Sequence, residues 1–380
     1  MRAGNSSGGY TTLQPRQELT PTPYALYAQK TGTVDWGNIS GIPADIADGD
    51  NGGSATYAYR IVVAKSGGDY SSIQTALDSI SDNSPEKRYL IWVAPGIYSE
   101  WVVMKPWVDI EGSGELATEI RAEGSNNSFT GTVVAANNAE LRWLTVKSVG
   151  GPSYQYAVAL YNPVTLARFS HVTAEAYNAP STYALYNYGL ANAYIAPEID
   201  YITAKAYGGQ KNIGIFNHYA SPKLSYLVSY AYNGAFNYGV YNLGAAGAPV
   251  KPEFSYLESY AYDGGKNYAF YNVYATPKLA YVGAYAYDGD FSYGIYNGSE
   301  RYNVWLDNTL IEGDTGTIYT TATFSTYVGG SKLAGGNVQN QGGVLKCAGV
   351  YDDEYNFYDN SCFADDNAYD GGYSGQDEGQ

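Results

Sequence analysis

The sequence predicts an all-β solenoid built from stacked parallel coils. The first observation is a beat of asparagines. Short aromatic pieces of the form V-A-L-Y-N end at Asn162, Asn187, Asn217, Asn242, Asn272 and Asn297, at spacings of 25, 30, 25, 30 and 25 residues. The second is a companion register of strand-sized pieces. PEIDYITAKAY begins at Pro197, PKLSYLVSYAY at Pro222, PEFSYLESYAY at Pro252 and PKLAYVGAYAY at Pro277, with ARFSHVTAEAY from Ala167 in the same frame. Together they define a 55-residue pair of coils, one of which carries a five-residue insertion. Repeats of this size made of strand-length pieces stack as a solenoid, each coil one rung about 4.8 Å from the next. The third is composition: 43 Tyr and 45 Gly in 380 residues favour strands and turns over helices.

Side chains alternate between the two faces of a strand, so parity assigns them. Leu160, Leu185, Ile215, Val240, Phe270 and Ile295 share parity with the asparagines and are expected inside. The asparagines would then form an interior ladder of amides, each bonding the next rung. Leu224, Phe254 and Leu279 point inward on the next side. Val172, Ile202, Leu227, Leu257 and Val282 do so on the third. The opposite parity there places Tyr177, Tyr207, Tyr232, Tyr262 and Tyr287 outside, with Tyr230, Tyr260 and Tyr285 two residues before the last three. Stacked rungs turn these into two columns of rings, the candidate binding or assembly face. Tyrosine offers large contact area with a hydroxyl for hydrogen bonds, and aromatic rows suit the apolar faces of sugar rings.

The body opens at YRIVVAKSGGDYSSIQTALDSI. Residues 61–64 read as a strand. Ser71 and Gln74 have capping-box spacing, so a short helix is expected to start at Ser71, with Ile73, Leu77 and Ile80 on one face. Strand-like pieces follow in YLIWVAPGIYSE, WVVMK, VDIEG, TEIRA, TVVAA and ELRWLTVKS. Over residues 59–114, the strand, the GGDYSSIQTALDSI helix, YLIWVAPGIYSE and VDIEGSG resemble the opening of pectinesterase-like and pectate-lyase-like proteins. The resemblance implies a right-handed parallel β-helix whose first helix caps the open end of the coil. Hydrolases of the pectinesterase type use paired aspartates with amide donors for the oxyanion. Only GIYSE (Gly96, Tyr98, Glu100) matches that pattern, so no catalytic residue is carried over and a non-enzymatic chain is expected. His171 and His218 fall at unrelated rung positions and read as packing residues.

The chain divides into an extended arm and linker (1–56), the β-helix (57–345) and an acidic C-terminal segment (346–380) holding the only cysteines. Cys347 and Cys362 are expected to pair, which implies an oxidising compartment and an extracellular or cell-surface location. The ending, with NTLIEG, SKLAGG and the cysteine segment, resembles the tails of exported bacterial β-helix repeat proteins. The formal charge of −16 argues against nucleic acid, and no apolar run is long enough to span a membrane. No cofactor or metal is expected beyond weak Ca²⁺ binding at Asp48 and Asp50 or at Asp365, Asp366 and Asp370. These readings together predict a structural protein that self-associates into a homo-oligomer or filament through its arm and Tyr columns. The alternatives are an adhesin or glycan-binding β-helix and a degenerate polysaccharide-active enzyme.

Overall fold

A computed structural model describes residues 57–191, 195–298, 302–359 and 362. The chain winds as a parallel β-helix. Crossovers between parallel strands of one sheet are right-handed almost without exception, which sets the hand of the coil. Three ladders run along its length. The first joins Tyr59–Val63, Tyr89–Val93 and Val108–Gly112 and continues through Glu140–Arg142, Arg168–Ser170, Glu198–Asp200, Lys223–Ser225, Glu253–Ser255 and Lys278–Ala280. The second carries Thr173–Tyr177, Thr203–Tyr207 and their successors. The third carries Tyr156–Pro163, Ser181–Tyr188 and Lys211–His218. A final antiparallel pair, Val350–Tyr351 with Phe357–Tyr358, ends the described body, and the Cys347–Cys362 disulfide lies beside it.

The expected inward columns are the core. Leu160, Leu185, Ile215, Val240, Phe270 and Ile295 are fully buried in register, and Leu224, Phe254, Leu279, Leu227, Leu257 and Val282 line the other two sides. Parity fails at the corners, where the chain turns sharply through left-handed backbone. Between the first and second ladders the turn sits at Trp143, His171, Tyr201, Tyr226, Tyr256 and Tyr281, with φ of 51–59°. Two inward residues three apart, such as Leu224 and Leu227, flank each such corner.

The opening helix, α1 (Ile73–Ser79), buries Ile73, Ala76 and Leu77 against the first coil. Its N-cap is Ser72, one residue later than the capping-box spacing predicts, and the Ser72 Oγ accepts from the Thr75 amide. Gln74 does not close a capping box. Its amide oxygen accepts from the Val103 amide and its Nε2 donates to Asp78. The carboxylate at the helix start comes instead from Glu100, which accepts from Ser72 Oγ (2.7 Å), the Ile73 amide (3.0 Å) and the Gln74 amide (2.9 Å). A distant acid has taken the place of the local one, satisfying the same unpaired amides. The arm at 1–56, the tail from 363 and the aspartates at 48, 50, 365, 366 and 370 lie outside the described residues.

Candidate substrate groove

The first ladder presents a row of alternating charges. Glu198, Lys223, Glu253 and Lys278 stand opposite one another on successive rungs, all exposed. Lys278 Nζ lies 3.4 Å from Glu253 Oε1. Beside them runs a second row, Asp200, Ser225, Ser255 and Ala280, with Asp307 one rung on. Trp305, which faces Lys278 in register and stacks on Tyr327 at 6.0 Å, closes one end. These rows line a shallow groove of about 770 Å³ that crosses the rungs. Each step along it meets a new rung, so the groove offers a repeating pattern of carboxylate, ammonium and hydroxyl at a spacing of about 5 Å.

One residue along the chain from the second row stand the corner tyrosines. Tyr201, Tyr226, Tyr256 and Tyr281 form a continuous stack with centroids 5.0, 5.0 and 5.1 Å apart and planes within 5°. The stack extends through His171 (4.5 Å) to Trp143 (3.8 Å). The four tyrosines are 45–55% exposed. Because each ring covers its neighbour's face, the row presents edges and hydroxyls outward. Its chemistry is a line of hydrogen-bond donors and acceptors, not a platform of ring faces.

The same geometry revises the predicted face. Tyr177, Tyr207, Tyr232, Tyr262 and Tyr287 do form one column, with centroids 4.9–5.2 Å apart and planes within 9°. Tyr230, Tyr260 and Tyr285 form the second at 5.1 and 4.8 Å. All eight are half-buried. Burial in the stack pushes the phenols of Tyr207 and Tyr262 up to about 12 and raises those of Tyr230, Tyr232, Tyr260, Tyr285 and Tyr287. The expectation that such rows lay ring faces against sugars is corrected: in-register stacking hides those faces. Three aromatic residues on the third ladder are less exposed still, Tyr183, Tyr186 and Phe216 at 7%, 3% and 6%.

The asparagine ladder is as expected. Asn162, Asn187, Asn217, Asn242, Asn272 and Asn297 are fully buried; the Nδ2 of each of the first five donates to the next Oδ1 at 2.9–3.0 Å, and that of Asn297 donates to Thr326 Oγ1 at 3.0 Å. A second ladder was missed. Thr182 donates to Asn212, Asn212 to Asn237 and Asn237 to Asn267, with side bonds to turn carbonyls. Its signal was the recurring Asn five residues before each asparagine of the last four repeats but one, at 212, 237 and 267. The corner stack was missed because strict alternation was carried through the bend. Tyr226, Tyr256 and Tyr281 sit between two inward residues that are three apart, a spacing that marks a corner.

The matched GIYSE piece has a structural role here. Tyr98 is fully buried, and its hydroxyl donates to the carbonyls of Ala94 (3.0 Å) and Val63 (3.3 Å). Glu100 holds the cap helix, as described above. Nearby, Asp109 is 2% exposed, accepts two bonds from Arg88 at 2.9 Å and takes further bonds from the Tyr57 hydroxyl and the Glu140 amide. Arg142 joins Glu111, Glu140 and Tyr57 to the same network. These carboxylates are engaged by arginines and backbone, which fits a structural polar network.

A family model described as Pectinesterase matches residues 60–223 of this chain. Among curated relatives, a putative pectinesterase 11 of Arabidopsis thaliana is 33% identical over 156 residues, which is 39% of this chain and 44% of the relative. A probable pectinesterase/pectinesterase inhibitor 17 of the same plant is 32% identical over 147 residues, 36% of this chain and 28% of the relative. The chain thus spans less than half the length of the curated relatives it matches. Among solved structures, the pectate lyase Pel9A superposes with a TM-score of 0.50 at 10% identity, covering 76% of this chain and 79% of that one. That similarity supports the β-helix fold. The pectinesterase matches overturn the expectation of a non-enzymatic filament subunit. Among the described residues, no helix is long and apolar enough to cross a membrane.

Proposed function

We propose that this chain acts on esterified pectin, with the polymer lying along the groove of the first ladder and crossing successive rungs. The observation that carries the reading is the pectinesterase match over residues 60–223, which reaches the first two groove rungs. Within that span the groove carboxylates are Glu198 and Asp200, and Lys223 stands opposite Glu198. Ester hydrolysis needs a group to activate water and a positive or hydrogen-bonding group for the charge that develops on the carbonyl oxygen. We assign the first task to Asp200 or Glu198 and the second to Lys223. The corner hydroxyls of Tyr201, Tyr226 and Tyr256 would hold the polymer's own hydroxyls along one side. Pectin as substrate also places the work outside the cell.

The charge of the chain refines the substrate. A protein with a net charge of −16 repels a polyanion, so the neutral, esterified stretches of pectin suit it better than the de-esterified acid. The test is methanol release from highly methyl-esterified pectin by the full chain. Release is expected, and Asp200→Asn combined with Glu198→Gln should abolish it while pectin still co-sediments with the protein. Binding without release by the parent chain would remove the esterase assignment. Neither binding nor release would remove the groove as well.

A further inference from the structure

The column Tyr230–Tyr260–Tyr285 differs chemically from the other tyrosine stacks. Tyr260 lies between two rings, 5.1 Å from Tyr230 and 4.8 Å from Tyr285, with both pairs within 11° of parallel. Its hydroxyl donates to Glu258 Oε2 at 2.8 Å. In register, Glu258 faces Gly283, and the Tyr285 ring leans over that glycine so closely that a Cβ there would come within 2.6 Å of it. The missing side chain at 283 therefore lets the Tyr285 ring lie down beside the carboxylate that serves Tyr260. Glu258 is exposed and the rings are half-exposed, so small oxidants and water reach them.

A phenol is oxidised by losing an electron and a proton together, and a hydrogen-bonded carboxylate takes the proton as the electron leaves. We propose that Tyr260 and Tyr285 are a built site of oxidative cross-linking, taking as co-reactants a haem peroxidase and hydrogen peroxide. Each phenol gives one electron to the oxidant. The Tyr260 proton passes to Glu258 and the Tyr285 proton to water. The two radicals couple through ring carbons ortho to oxygen, forming one C–C bond. The hydrogen on each of those carbons then leaves and a proton returns to each oxygen. Two electrons and two protons are lost in all, and they reduce one hydrogen peroxide to two waters. The product is a dityrosine that staples two neighbouring rungs.

The experiment treats the full chain with a haem peroxidase and hydrogen peroxide, with free tyrosine as a control for oxidant activity. Dityrosine fluorescence is followed and the product is digested with trypsin. Lys266 and Lys278 separate Tyr260 from Tyr285, so the staple appears as two tryptic peptides joined through their tyrosines. The expected result is that joined pair from monomeric protein, lost in Tyr260→Phe and kept in Tyr262→Phe. Glu258→Gln should slow its formation several-fold. The proposal is overturned if dityrosine is absent while the control reacts, if it joins other residues or separate molecules only, or if Tyr260→Phe leaves the joined peptides intact. An unchanged rate in Glu258→Gln would remove the carboxylate from the mechanism.

Discussion

An asparagine sealed in a β-helix keeps its place only while its neighbours do. Asn242 accepts from Asn217 and donates to Asn272, both at 2.9 Å, inside a fully buried column. Asn242→Ala strands a donor on one rung and an acceptor on the next, at about 1–3 kcal/mol each. A loss of about 2–5 kcal/mol in urea-unfolding stability is therefore expected. Asn233 makes the contrast. It is exposed at a corner with φ of 58°, where glycine is at ease, so Asn233→Gly should change the same measurement little. At the edge of the third ladder, burial and the nearby Lys211 push the His218 imidazole down to about 4. The unfolded chain takes up that proton below about 6.5 while the folded one does not. His218 thus contributes stability that is full above pH 6.5 and drains as pH falls toward 4. The denaturation midpoint of the parent should drop across that window, and His218→Gln, which keeps an acceptor for the Tyr186 hydroxyl, should flatten the drop.

Helix α1 shows how an element can owe its ends to a distant strand. Its first amides are satisfied by Glu100, some 27 residues away, and its apolar side closes the coil over Leu77 and Ile73. Glu100→Ala removes three hydrogen bonds at once, with an expected local loss of about 1–3 kcal/mol. Amide hydrogen exchange should quicken at Ile73 and Gln74 while the rungs from Tyr156 onward keep their protection. Equal acceleration throughout would mean the cap and the coils unfold as one unit. The corners are the second kind of element. A left-handed residue recurs between the first and second ladders on successive rungs from Trp143 to Tyr281, and the side chain placed there is thrown clear of both sheets. That is why tyrosine at this one position builds an exposed stack while tyrosine a few residues on is half-buried.

At the scale of the whole molecule, the stacks couple many phenols to one fold. Tyr161, Tyr207, Tyr262 and Tyr296 are each pushed up to about 12 by burial. Their stabilising effect is present below the ordinary tyrosine value of 10.0 and is lost as pH rises through about 12. Phenolate absorbance should therefore lag in the folded protein and then rise together with loss of circular dichroism. A smooth titration centred near 10 would show the rings to be free. The net charge acts over the same length. If esterified pectin is the partner, binding to de-esterified pectin should be much the weaker at low salt, and added salt should narrow the gap by screening the repulsion. A preference for the acid form at low salt would contradict the substrate assigned here.

The repeat itself determined the coil. Asn and Leu at a fixed beat can be buried together only if rungs stack in register, so the solenoid, its inward columns, the amide ladder and the outward parity of two Tyr columns were legible from residue order alone. The opening helix was legible too, to within one residue. Tertiary structure decided what order along the chain does not carry. It turned parity at the corners, because a left-handed residue breaks alternation and frees Tyr226 from both sheets. It gave the cap of α1 to Glu100, because an acid on another coil lies nearer those amides than the local glutamine. It also decided what the tyrosines present to solvent, since rings 5 Å apart in parallel planes hide their faces whatever their number. The groove was out of reach for the same reason: Glu198, Lys223, Glu253 and Lys278 are separated by 25–30 residues and become one charged row only when the rungs stack.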